Sequence, residues 1–223
     1  MDFVKTSIEV FGFTIMEPVT VVTDFLVSCV CFYAYRKLAV ANDGFSSSRL
    51  LKYYFLLLAM GTFYGGLIGH GLQHLVTFTW KLPGWLISMA SVALIERAAI
   101  LHARPLLKPA VGNFFSILNI IEFISLVVIV LLTLDFFYVE AHAAYGLLVI
   151  VFSFELFIFI KTKSKGSLMM LAAVGVSTMA ATVHLSKFIL HDWFNHLDLG
   201  HVLMAIAAYL FYLGAARIKL PAS

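Results

Sequence analysis

The sequence predicts an all-α, polytopic membrane protein: a single domain over residues 1–223, with seven transmembrane helices, the N-terminus outside and the C-terminus cytoplasmic. Three observations predict it. Hydrophobic residues fill 62% of the 223 positions and charged residues only 12%, about half the charged fraction of a soluble domain. Apolar segments near the roughly 20-residue length that spans a bilayer recur along the whole chain. Lysine and arginine gather in alternate loops.

The first helix is expected from about Glu17 to Val40, because Pro18 suits a first helical position and Glu17 complements a helix N-terminus. The segment ANDGFSSS breaks it. The second runs from about Ser48 to Thr77, and the third follows KLPG and ends near Arg104-Pro105. The fourth covers about Asn113 to Phe136, and the fifth Ala141 to Phe159, closed by KTKSKG. The sixth covers about Leu168 to Leu190, and the seventh Leu197 to Ala216, closed by ARIK. Each is apolar around most of its circumference, as lipid-embedded helices are.

The positive-inside rule orients the set. Arg36, Lys37, Arg49 and Lys52 flank the first loop, Arg104 and Lys108 the third, and Lys161, Lys163 and Lys165 fill the fifth. Arg217 and Lys219 follow the last helix, while the alternate loops are poor in basic residues. A formal charge of +3 does not suggest a nucleic-acid partner. The N-terminal stretch MDFVKTSIEVFGFTIMEP lacks a cleavable signal pattern. Cys29 and Cys31, at i, i+2, lie on different helix faces and imply no disulfide framework.

Polar residues then fall at particular depths. On the first helix Glu17, Thr20, Asp24, Ser28 and Cys31 follow i, i+3/i+4 steps and share one face. Such a stripe faces protein or a water-filled cavity, as an inter-helix hydrogen-bond seam or a site. The second helix carries Gly61, Gly65 and Gly69, a small-residue stripe that permits close helix approach. Beside it run Thr62, Gly66, His70 and His74. His70 and His74, at i, i+4, have the spacing with which two imidazoles reach one metal ion, although two interfacial histidines are the plainer reading of that pair.

His184 and His191 end the sixth helix and form a surrounding shell. His196 and Asp198 open the seventh, with His201 one turn in; Asn195 or Asp198 also suits its N-cap. The outer ends of the first, second, sixth and seventh helices therefore bring ionisable groups to one level. Imidazole with carboxylate suits zinc. A deeper layer holds Glu96, Arg97, Asn119, Glu122 and Glu155. It either locks the bundle, with Arg97 neutralising Glu122 or Glu155, or marks a substrate or proton path.

Seven helices, a histidine late in the second and a histidine early in the seventh resemble the alkaline ceramidase and progestin/adipoQ receptor group of membrane hydrolases. The resemblance implies zinc held by one histidine of the second helix and two of the seventh, assisted by an aspartate and by a serine one turn before the first histidine. His70 or His74 matches the second-helix ligand and His201 the inner ligand of the seventh. The outer ligand falls at Leu197, where the nearest candidates are His196 and Asp198. The serine position is Gly66 if His70 is the ligand, or His70 if His74 is. Glu17 and Asp24 lie where ceramidases carry an acidic calcium-binding segment, but the tryptophan-acid cluster is absent.

The expected function is a membrane-embedded, zinc-dependent hydrolase acting on a lipid amide or ester. His70, His74 and His201, with His196 or Asp198, hold the metal, and Asp24 and Asp198 are the candidate catalytic carboxylates. Two alternatives stay open: a proton-coupled transporter or channel along the two polar layers, and a haem-binding electron carrier using histidines of facing helices.

Overall fold

The computed structural model describes residues 5–41 and 46–218. Residues 42–45 of the loop ANDGFSSS and Lys219 of the last basic cluster lie outside the described residues. Among the described residues, seven helices are long and apolar enough to cross a membrane. They are α1 (Pro18–Ala41), α2 (Ser46–Tyr64), α3 (Leu82–Ala103), α4 (Pro109–Thr133), α5 (a span over 137–162), α6 (Lys165–Ser186) and α7 (His196–Ala215).

Two of these spans are not α-helical throughout. α2 widens into a π-helix at Gly65–Gly71, and α5 is π-helical at Tyr145–Val151 between α-helical Phe137–Ala144 and Phe152–Thr162. Such wide turns are rare and recur at functional sites. The expectation that the second helix continues to Thr77 is corrected here. It stops at Gly71, and a 3₁₀ turn at Phe78–Lys81 leads into α3.

A second departure from the all-helical expectation is an N-terminal hairpin. β1 (Ser7–Val10) pairs antiparallel with β2 (Phe13–Met16), Ile8 opposite Ile15. Its two-residue turn puts both Phe11 (φ 51°) and Gly12 (φ 80°) at positive φ, the mirror-image turn whose twist matches the strands. Glu17 extends the pairing, its N–H donating to Thr6 O at 2.8 Å. Glu17 is itself left-handed (φ 45°), and its carbonyl accepts the first helical bond from Val21 N at 3.0 Å. It is therefore the hinge between ribbon and α1.

Consecutive helices run antiparallel. The starts of α1, α3, α5 and α7 share the hairpin end with the finishes of α2, α4 and α6. α1 packs between α2 and α7, α6 packs on α7 and α5, and α3 touches α2, α4 and α5. The main core joins Val27, Leu51, Phe55, Ile95, Ile100, Met170 and Phe211, all essentially inaccessible. Burying a side chain of this size contributes about 1.5–3 kcal/mol.

The glycine stripe on α2 behaves differently from expectation. Only Gly61 makes a tight approach: a Cβ there would stand 2.6 Å from Ser88 Oγ of α3. Gly69 meets nothing within 4 Å. The π turn brings Gly66 against α1 instead, where a Cβ would lie 2.8 Å from Asp24 Cβ.

Candidate functional site

The hairpin end gathers the first part of the α1 polar stripe, Glu17, Thr20 and Asp24, together with Thr23, while Ser28 and Cys31 lie deeper. Glu17, Thr20, Thr23 and Asp24 are all buried. Burial pushes the Glu17 carboxyl up, but hydrogen bonds from His70 and Gln73 outweigh it and hold the group below its ordinary range. Glu17 Oε2 accepts from Gln73 Nε2 and lies 3.1 Å from His70 Nδ1. A carboxylate only accepts, so His70 carries its hydrogen on Nδ1 and turns the Nε2 lone pair inward.

His201 is fixed in the same way. Its Nδ1 lies 3.1 Å from Thr23 Oγ1, and that hydroxyl spends its single hydrogen on Thr20 O at 3.1 Å. The His201 Nδ1–H is therefore the donor and its Nε2 is left bare. Both bare nitrogens face one carboxylate: His201 Nε2 is 3.5 Å from Asp24 Oδ1 and His70 Nε2 is 3.9 Å from Asp24 Oδ2. The two rings stand 6.2 Å apart at 74°. His70 and His201 keep 22% and 15% of their side-chain surface accessible, so the cluster is reachable.

Of the other predicted residues, Asp198 borders this set and His74 stands apart from it. His74 lies beyond the π turn and is exposed; the early stop of α2 removes the one-turn stacking with His70. His196 is buried beside His184, ring centroids 5.5 Å apart. His184 Nε2 in turn lies 2.9 Å from Glu140 Oε1 of α5. Asp198 Oδ1 accepts from Thr20 Oγ1 at 2.7 Å, and Oδ2 accepts from Asn195 N at 2.7 Å. With Asn195 it forms a capping box on α7. Its Oδ1 thus ties α7 to α1, while its Oδ2 caps α7. Sequence reasoning missed Thr23 and Gln73; Thr23 sits one residue before Asp24, off the stripe that drew attention.

A second constellation lies where α3, α4 and α5 meet. His142 is completely buried, with Nδ1 2.7 Å from Glu122 Oε1 and 3.9 Å from Glu96 Oε1, and Nε2 3.0 Å from Met89 O. Glu96 Oε2 accepts from Asn119 Nδ2 at 3.1 Å. Arg97 serves Asn119 Oδ1 (3.0 Å) and Ser116 O (2.5 Å). The expectation that Arg97 neutralises Glu122 or Glu155 is therefore corrected. Histidines face those glutamates: His142 for Glu122, and His102 for Glu155, with Nδ1 to Oε1 at 2.9 Å.

Sequence reading overlooked both His102 and His142. Depth along the chain holds a signal for one pair. α3 and α5 run in the same direction, and His102 and Glu155 fall at similar distances from their starts. An apolar groove of about 270 Å³ lined by Leu107, Val111, Phe115, Val149, Phe154 and Phe157 lies toward the opposite end from the His70 cluster.

No curated protein and no solved structure matches the chain. Residues 19–220, which take in all seven helices but for Pro18 at the start of α1, match a family of unknown function, DUF6962, and the chain belongs to that family.

Proposed function

We propose that the hairpin end is the site of a membrane-embedded, zinc-dependent hydrolase acting on a lipid amide or ester, with His70, His201 and Asp24 as the metal-binding set. One observation carries this reading: two imidazole Nε2 atoms converge on opposite oxygens of one carboxylate, each with its Nδ1–H already tied. Ligands of a single tetrahedral zinc stand about 3.3–3.5 Å apart. The separations of 3.5 Å and 3.9 Å run to different oxygens of Asp24 and stand at or above that spacing, so a bound ion would draw the two rings inward. Two histidines and one carboxylate, with a position left for water or substrate, are a known catalytic zinc set.

Bound there, zinc would supply an acidified water and polarise the substrate carbonyl. This chain's own residues do the positioning. Glu17 fixes the His70 ring and raises its basicity, and Thr23 does the same for His201. Asp198 braces α7 against α1 through Thr20. Compared with the alkaline ceramidase and progestin/adipoQ receptor group, a carboxylate of the first helix stands in for the second histidine of the seventh. In this reading the helices span the bilayer, the N-terminus and the cluster lie on the non-cytoplasmic side, and Arg36, Lys37, Lys108, Lys161, Lys163 and Arg217 face the cytoplasm.

The test is metal analysis of the purified full chain beside hydrolysis of fluorescent lipid amides and esters. His201→Ala and Asp24→Asn are expected to lose one zinc equivalent and the activity together. Zinc-free protein with undiminished turnover, or zinc content indifferent to both substitutions, would overturn the reading. A proton-coupled transporter or channel is the second reading, favoured by the buried histidine–glutamate pairs between the helices. Proton flux in liposomes unaltered by Glu122→Gln and Glu155→Gln would exclude it.

A further inference from the structure

We propose that Glu96, Glu122 and His142 form a second cation site, separate from the hairpin-end cluster, that takes one divalent transition-metal ion through His142 Nδ1 and one oxygen of each carboxylate. The three ligand atoms lie within 4.8 Å of one another. His142 Nε2 faces the Met89 carbonyl, which only accepts, so that nitrogen keeps its hydrogen and Nδ1 is the coordinating one. A ring N–H donated to a backbone carbonyl is the usual support of a metal-binding histidine.

The independent observation is on the carboxylates. Glu96 has no accessible surface, yet its Oε1, directed toward His142, has no hydrogen-bond partner, and neither has the buried Glu122 Oε2. A buried carboxylate oxygen left unsatisfied is costly, and a bound cation removes that cost. The remaining Glu96 oxygen is already held by Asn119, itself oriented by Arg97. Room for the carboxylate comes from Gly146 in the π turn of α5, where a Cβ would stand 2.5 Å from Glu96 Oε1. One imidazole and two carboxylates suit a first-row divalent ion such as Zn²⁺, Mn²⁺ or Co²⁺ rather than Ca²⁺, which takes six to eight oxygens.

The experiment adds Co²⁺ to the full chain in detergent and reads its visible absorption and stoichiometry. The variant His70→Ala/His201→Ala is expected to retain one Co²⁺, and adding Glu96→Gln and Glu122→Gln, which removes both anionic ligands, is expected to lose it. A His70→Ala/His201→Ala chain with an intact melting transition and no bound Co²⁺ overturns the proposal. Should that variant not fold, Glu96→Gln alone in the otherwise unaltered chain decides. It lowers the stoichiometry by one equivalent if the site exists, and unchanged stoichiometry overturns it. Failure of the hairpin-end site removes a different equivalent, the one sensitive to Asp24→Asn.

Discussion

Thr20 of α1 donates a 2.7 Å hydrogen bond to Asp198 of α7, joining the first and last spans across 178 residues of sequence with both side chains buried. Thr20→Val keeps the shape and leaves Asp198 Oδ1 without a donor. The expected loss is about 1–3 kcal/mol of stability. Thermal unfolding in detergent checks it, with Thr20→Ser expected to restore most of the loss.

Glu17→Gln retains an acceptor for His70 but removes the charge that orders the ring. Metal affinity at the hairpin end is expected to fall about tenfold, the low end for a supporting group around a metal-binding histidine. Competition against a chromophoric chelator measures it. An unchanged affinity would show that Glu17 serves the ribbon alone.

Gly66→Ser installs the residue that the resemblance to the ceramidase group expects one turn before His70. The structure has no space for it, since a Cβ there would stand 2.8 Å from Asp24 Cβ and 3.3 Å from Phe25 Cε1. The substitution is expected to displace Asp24, lower stability by about 1–3 kcal/mol and release the metal equivalent that Asp24→Asn releases. The melting transition and metal content read both effects.

His102→Leu strands the Glu155 carboxylate, whose Oε2 already lacks a partner, in the interior. The expected loss is about 3–5 kcal/mol, and His102→Leu/Glu155→Leu is expected to recover most of it because two apolar side chains replace a complete pair. Unfolding curves of the two variants, compared directly, provide the check.

The seven spans were legible because apolar length is a coarse property that survives errors of several residues at each end. Asp24 was legible as well: an ionisable residue two turns into a lipid-length helix stands out against its neighbours. What stayed hidden depends on local backbone winding or on contacts between distant segments. The π turn at Gly65–Gly71 decides that His70 enters the cluster and His74 does not, and an i, i+4 spacing assumes a regular helix. The meeting of His142 with Glu122 and Glu96 depends on how three helices pack, which no single segment encodes. The ribbon at the N-terminus did leave a trace, in the alternation of SIEV and FTIM around a Phe-Gly pair.

Glu17 belongs to two bodies at once. Its backbone bonds to Thr6 and sets the direction in which the ribbon leaves α1, while its carboxylate is anchored on His70 and Gln73 of the α2 end. A left-handed non-glycine residue holds its conformation only where its surroundings over-determine it, and here they do so from both sides. Ribbon and imidazole thus turn on a common pivot: the ribbon cannot swing about Glu17 without carrying the His70 ring along, so the angle of the one fixes the aim of the other.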